Sequence, residues 1–217
     1  MRIFLDTSDV DVIRQHCETG LIDGVTTNPT LMMQAGRDPV EVIKEISSLF
    51  PGYASISAEV VGDTAEEMVS QAKDYYSINK NITIKVPCSV EGLKACKVLS
   101  DKSISVNVTL IFSVEQAILA AKAGATYVSP FVGRCEDNNI DGIGLLETIN
   151  KIYQLNKIST EILSASIRNL NHISESFKAG ADVVTLPPSI FEEMYKHDLT
   201  DQGLAQFDED WKKVSHK

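Results

Sequence analysis

The sequence predicts an α/β chain that closes into a (β/α)8 TIM barrel, one domain over residues 1–217 with residues 200–217 as a helical extension at its C-terminal end. Three observations carry this. Short runs rich in Val, Ile and Thr alternate with longer amphipathic stretches from end to end, the pattern of parallel βα units. "AGATYVSP" at Ala123 and "AGADVVTLP" at Ala179 repeat a helix-end glycine, a strand and a proline 56 residues apart. The competing fold, an open doubly wound sheet, usually shows a glycine-rich phosphate turn after its first strand; here that strand ends "LDTSD", and no G-x-G-x-x-G or G-x-x-x-x-G-K-[ST] occurs.

Taken in order, the first strand is "IFLD" (Ile3–Asp6), with Asp9 as the cap of the helix after it. "GVTTN" (Gly24–Asn28) and "SISAEV" (Ser55–Val60) are the second and third, and "TAEEMVSQAKDYY" then spaces its apolar residues at the helical period. "ITIKV" (Ile82–Val86) and "SVNVTL" (Ser105–Leu110) follow. Ser113 caps "SVEQAILAAKAG", whose Gly124 suits the left-handed position just past a helix end. "TYVSPFV" (Thr126–Val132), "EILSAS" (Glu161–Ser166) and "DVVTL" (Asp182–Leu186) complete the eight. After a short helix in "PSIFEEMYK", the segment "TDQGLAQFDEDWKKVSHK" reads as a final helix. Its Phe207 and Trp211, four apart, share a face suited to docking on this subunit or a neighbour.

Composition narrows the function. Twenty basic against thirty acidic residues give a net charge of −10, which repels a phosphate backbone and gains nothing from an anionic membrane. Neither nucleic acid nor membrane is therefore an expected partner. The N-terminus reaches Asp6 after few apolar residues, so no signal peptide or membrane span is expected and the cytoplasm is the default location. Cys17, Cys88, Cys96 and Cys135 form no C-x-x-C pair and are read as reduced thiols.

Parallel barrels carry their active sites at the C-terminal mouth, so polar residues closing apolar strands are the ones that matter. Going round, these are Asp6, Thr26 and Asn28, Glu59, Lys85, Asn107 and Thr109, Ser129, Ser166, and Thr185. Alternation places Asn107 with Thr109, Thr26 with Asn28, and Tyr127 with Ser129 and Phe131 on common faces. Lys85 stands out, because an unpaired inward lysine on a central strand is expensive. At its reference pKa of about 10.4 a lysine is neutral only ~0.04% of the time at pH 7. Desolvation lowers that value, and the free amine then attacks a carbonyl, which is Schiff-base chemistry. Asp6 and Glu59 would oppose this by stabilising the ammonium, unless burial outweighs them or one holds a proton. His16, His172, His197 and His216 lie on helical or terminal stretches with no H-x-x-x-H pair, so a zinc-dependent aldolase is disfavoured and no metal site is expected. Arg134 after strand six and Arg168 after strand seven, with Ser166 and the amides opening a helix at Asn169, suit a phosphorylated substrate.

The motifs "LDTSD", "GVTTNPTL", "ITIKVPCSVEGLKA", "VNVTLIFS", "SPFVGR" and "ASIRN" resemble the transaldolases over nearly the whole chain. The compact length is similar to the small subfamily that also contains fructose-6-phosphate aldolases. The resemblance implies an enzyme with no metal or organic cofactor, with Lys85 as the nucleophile, assembled as a homo-oligomer, a decamer or pentamer. It further implies that Glu59 shuttles protons through a water held by Thr109 and that Asp6 takes the C4 hydroxyl proton. Asn28, Asn107 and Ser129 would hold substrate hydroxyls, Arg134, Ser166 and Arg168 the phosphate. Thr26 would support Asn28 or Asp6, or serve packing alone. Glu59, Phe131 and Asn107 take the transaldolase form, where the aldolases tend to carry Gln and Tyr at the first two and lack the Asn. The expected reaction is transfer of a dihydroxyacetone unit from sedoheptulose 7-phosphate or fructose 6-phosphate to glyceraldehyde 3-phosphate or erythrose 4-phosphate, in the non-oxidative pentose phosphate pathway. Fructose-6-phosphate aldolase is the near alternative, and a sugar-phosphate-binding barrel without catalysis the distant one.

Overall fold

The structure is a computed structural model that describes every residue except Pro51, Tyr53, His216 and Lys217. Eight parallel strands pair in sequence order and the eighth returns to the first, closing the barrel. They are β1 (Arg2–Asp6), β2 (Gly24–Thr26), β3 (Ser55–Glu59), β4 (Ile82–Pro87), β5 (Val106–Ile111), β6 (Tyr127–Pro130), β7 (Glu161–Ser164) and β8 (Val183–Leu186). The helices are α1 (Val10–Cys17), α2 (Pro29–Ala35), α3 (Pro39–Ser48), α4 (Ala65–Tyr76), α5 (Val90–Ser100), α6 (Val114–Lys122), α7 (Val132–Asp137), α8 (Gly142–Leu155), α9 (Leu170–Lys178), α10 (Pro188–Glu193) and α11 (Asp198–Ser215).

Period-two alternation explains how each strand serves two environments. Val25, Ile56, Ile84, Val106, Val108 and Val128 bury against the ring of helices in the main core. Removal of each such side chain from water contributes roughly 1.5–3 kcal/mol. The alternate residues fill the lumen, where Phe4, Tyr127, Leu163 and Val183 form one apolar cluster. Across the lumen floor Ser55 and Thr83 share a hydroxyl hydrogen bond of 2.8 Å, so the polar residues of β3 and β4 satisfy each other.

Local signals hold where they are chemical. Asp9 accepts from the Asp11 and Val12 amides, and Ser113 forms a reciprocal capping box with Gln116. Gly124 and Gly180, the repeated helix-end glycines, sit at φ +89° and +94°. The four cysteines are free thiols.

Several boundaries differ from the sequence expectation. The second strand ends at Thr26, because Asn28 turns to cap α2, accepting from the Leu31 amide, with Pro29 opening the helix. The sixth strand ends at Pro130: the Val132 and Gly133 amides bond to the Ala165 and Ser166 carbonyls, and α7 starts there. The seventh ends at Ser164, and Ser166 occupies φ +61°. In β5 the register shifts between Val108 and Ile111, with Leu110 at φ +61°. The last helix begins at Asp198, two residues before the expected extension, and the expected last two residues, 216 and 217, lie outside the described ones, His216 among them. Phe207 and Trp211 are 73% and 70% exposed, so α11 does not bury them on its own barrel. Among the described residues no helix is long and apolar enough to cross a membrane.

Candidate active site

The C-terminal mouth of the barrel opens into a cavity of about 490 Å³, within the range of small-molecule sites. Its lining includes Asp6, Thr26, Asn28, Glu59, Lys85, Thr109, Ser129, Phe131, Arg134, Ser166, Arg168 and Thr185. Barrel closure therefore gathers, from the strand ends and the turns after them, all but one of the polar residues singled out in the sequence. The exception is Asn107, which is fully buried and lies beneath the cavity floor. There its side-chain amide donates to Ser57 Oγ at 3.4 Å and its Oδ1 accepts from Ser129 Oγ at 2.7 Å. Asn107 is a packed support in this structure, and its partner Ser129 is the group that reaches the cavity.

Lys85 stands on the floor with its side chain 7% exposed. Register sets it beside Glu59 on one side and Asn107 on the other. Its Nζ donates to the Thr27 carbonyl at 3.1 Å and pairs with Glu59 Oε2 at 2.9 Å. A lysine ammonium has three N–H groups, so two are engaged in the protein while the residue still borders open space. The amine is thus neither outward between helices nor sealed in a saturated ionic cluster.

Asp6 lies across the floor from it. Burial pushes its carboxyl above the ordinary range, against the opposing pull of the Lys85 charge and of the Thr26 hydroxyl. Thr26 Oγ1 donates to Asp6 Oδ1 at 2.8 Å and is 2.6 Å from Thr185 Oγ1. Between the supports left open by the sequence, Thr26 serves Asp6. Thr109 Oγ1 is buried and has no hydrogen-bond partner among the described residues, an orphan hydroxyl at a cavity wall. Alternation brings Thr109 inward, and the β5 irregularity adds its neighbour: with Leu110 in the left-handed region, both line the cavity although they are consecutive.

The opposite rim carries the two arginines. Arg134 projects from α7 with its guanidinium carbon 4.8 Å from the Phe131 ring centre, and Phe131 is edge-on to Phe112. Arg168 pairs with Asp137 at 2.9 Å through Nη2, with both side chains more than half exposed. Such a surface pair is worth about 0–1 kcal/mol, so a phosphate dianion can replace the carboxylate at little cost. Of the amides at the start of α9, those of Arg168 and His172 are taken internally, by His172 Nδ1 and Asn169 Oδ1.

Sequence reasoning missed several members of this arrangement. Ser57 shares its face with Glu59 and alternation could have found it. The Thr27 carbonyl gives no sequence signal, because it is backbone. In the sequence His172 reads like the other helical histidines, and Glu136 and Asp137 like ordinary surface acids.

A family model described as Transaldolase/Fructose-6-phosphate aldolase matches residues 3–217. A protein of Paracoccus denitrificans named "Probable transaldolase" is 50% identical over 217 residues, covering 100% of this chain and 99% of that one. Proteins with the same name from Caulobacter vibrioides, 51% identical over 97% of this chain and 96% of that one, and from a Thermoanaerobacter species, 50% identical over 100% of both, are comparably similar. A solved thiamine phosphate pyrophosphorylase from Pyrococcus furiosus superposes with a TM-score of 0.58 at 17% identity, covering 86% of this chain and 85% of that one, a likeness of fold alone. With a family match spanning all but the first two residues and relatives at half identity along the full length, the chain belongs to the transaldolase/fructose-6-phosphate aldolase family.

Proposed function

We propose that the protein is a transaldolase that carries a dihydroxyacetone unit between sugar phosphates as a Schiff base on Lys85. The observation that carries this reading is one buried lysine amine bordering an open cavity that also holds two carboxylates and, at its far rim, two arginines.

The amine attacks the C2 carbonyl of a ketose phosphate, and the C2 oxygen leaves as water, giving a lysyl iminium. Glu59, in contact with Nζ, relays the protons of this step through a water held by the orphan hydroxyl of Thr109. Asp6 takes the C4 hydroxyl proton as the C3–C4 bond breaks. The bonding pair flows into the iminium to give an enamine, and the shortened aldose phosphate departs. A carboxyl whose pKa burial has raised is a stronger base than an exposed one, which suits Asp6 to that transfer. An acceptor aldehyde then takes the enamine's electron pair at C3, Asp6 returns its proton, and water releases the new ketose. Asn28 and Ser129 hold fragment hydroxyls, Asn107 holds Ser129, and Arg134, Ser166 and Arg168 hold the phosphate of donor and acceptor. Sedoheptulose 7-phosphate or fructose 6-phosphate as donor, and glyceraldehyde 3-phosphate or erythrose 4-phosphate as acceptor, fit these roles.

Borohydride trapping with fructose 6-phosphate, followed by mass spectrometry of the Lys85 peptide, tests the covalent step. An adduct that persists until an aldose phosphate is added is the expected result; binding with no adduct would leave only a sugar-phosphate-binding barrel. Phe131 favours transferase over aldolase, because its ring offers no hydroxyl to deliver a proton to the enamine. Phe131→Tyr is expected to raise acceptor-independent release of dihydroxyacetone from fructose 6-phosphate about tenfold or more. Release that already equals transfer in the wild type would assign the protein to the aldolases.

We also propose, from the family resemblance and the exposed apolar residues of α11, Leu204, Phe207 and Trp211, that the chain assembles as a pentamer or decamer. Light scattering in solution measures this directly.

A further inference from the structure

We propose that His172, outside the cavity lining, is a positioning residue for the phosphate end of the site. It fixes the Ser166–Arg168 turn to α7, so that the Arg134 and Arg168 guanidiniums are set to grip one phosphate. The inference rests on the phosphate role assigned above to those two arginines and Ser166.

His172 is 4% exposed and both ring nitrogens have partners. Nδ1 accepts the Arg168 backbone N–H at 3.2 Å, and Nε2 lies 2.8 Å from Glu136 Oε2. Because Nδ1 accepts, the neutral ring carries its proton on Nε2, which donates to the carboxylate. The imidazole therefore bridges the chain just before α9 to α7, the helix that carries Arg134.

The turn it holds is not one that would keep its shape unaided. Ser166 sits at φ +61°, a conformation that costs a non-glycine residue about 1 kcal/mol or more and persists only where neighbours enforce it. Two further contacts do so from α7. The Gly133 amide donates to the Ser166 carbonyl at 3.1 Å, and a Cβ at Gly133 would stand 2.2 Å from that oxygen and 2.6 Å from Arg168 Cγ. Glycine is what lets α7 come this close. On the exposed side, Asp137 meets the Arg168 guanidinium. Of the two side chains that clamp the turn, the imidazole is the buried one, and its hydrogen bond is the one to Arg168's own backbone.

Substitution by amides separates positioning from bulk. In His172→Asn the side-chain oxygen can occupy the place of Nδ1, whereas in His172→Gln the longer side chain reaches toward the place of Nε2 and abandons the Arg168 amide. The readouts are KM for fructose 6-phosphate and for unphosphorylated fructose, inhibition by inorganic phosphate, and kcat. His172→Gln is expected to raise KM for fructose 6-phosphate and the phosphate inhibition constant about tenfold. KM for fructose and the yield of trapped Lys85 adduct stay at wild-type levels. His172→Asn, which keeps the Arg168 contact and gives up the one to Glu136, is expected to move the same two constants in the same direction by only about threefold. Equal losses with both sugars, or identical behaviour of the two variants, would overturn the proposal. Should His172→Gln fail to fold, Glu136→Ala, at a half-exposed position, is expected to move the same two constants in the same direction, and no movement there would equally overturn it.

Arg168→Ala is the control for the reading beneath. It is expected to raise KM for fructose 6-phosphate far more than KM for fructose. If Arg168→Ala affects both sugars alike, the phosphate assignment fails; if it discriminates and the His172 variants do not, only the positioning role fails.

Discussion

Lys85→Ala is expected to lower turnover by about 10⁴-fold or more and to abolish the borohydride-trappable adduct, while the barrel remains folded. In the proposed mechanism no other residue lining the cavity can take over its step, because the Lys85 amine is the atom that would bond to the sugar. Stability responds in a way that burial alone would not indicate. The lysine shares its site with the Glu59 carboxylate at 2.9 Å and its charge also favours ionised Asp6. Removing one partner of a sealed ion pair destabilises by about 3–5 kcal/mol. Here both carboxyls border a cavity open to solvent, so the expected loss is smaller, and it grows as pH rises and Asp6 must ionise without the cation. Urea midpoints at acid and alkaline pH measure that trend, and far-UV circular dichroism confirms the fold. Turnover retained in this variant would end the Schiff-base account.

Asp6→Asn is expected to cut kcat about 10²–10⁴-fold and at the same time to flatten the pH dependence of stability. Burial holds the Asp6 carboxyl above its ordinary pKa, although Lys85 and Thr26 pull the other way. Between the unfolded value of about 3.9 and the raised folded value, the native chain keeps a proton that the unfolded chain has released. Stability from this group is thus fully present below the unfolded pKa and is lost as pH rises through the folded one. Asparagine does not titrate, so the variant gains on the wild type as pH climbs through that window. Paired thermal melts from about pH 4 to pH 8 test this, the range spanning the carboxyl's unfolded value. If the variant instead falls behind as pH rises, attraction to Lys85 outweighs burial, and the base strength assigned to Asp6 has lost its physical ground.

Much of this site was legible in the chain as a string of residues. Lys85 is the charged residue inside "ITIKVP", and its inward direction follows from alternation once "ITIKV" is a strand. The same rule brings Glu59, Thr109, Ser129 and Thr185 to the mouth. Asp9 and Ser113 act as caps, because capping is settled within four residues. Harder positions were those where one residue serves two purposes. Asn28 both caps α2 and lines the cavity, and that cap is why the strand stops at Thr26. At Leu110 a bulge overrides alternation, which no propensity signals for a leucine.

The sequence by itself determined the alternation of strand and helix, hence the barrel, and the set of polar side chains at the strand ends. These are consequences of backbone period and local hydrophobic pattern, which need no distant neighbour. Only the tertiary structure decided the pairings: that Thr26 serves Asp6, that Asn107 lies under the floor holding Ser129, that Glu59 touches the Lys85 amine, and that His172 braces the arginine rim from outside the cavity. The reason is geometric. Which side chains meet inside a closed barrel depends on how eight strands are staggered against one another, and that stagger is fixed by contacts between residues far apart in the chain.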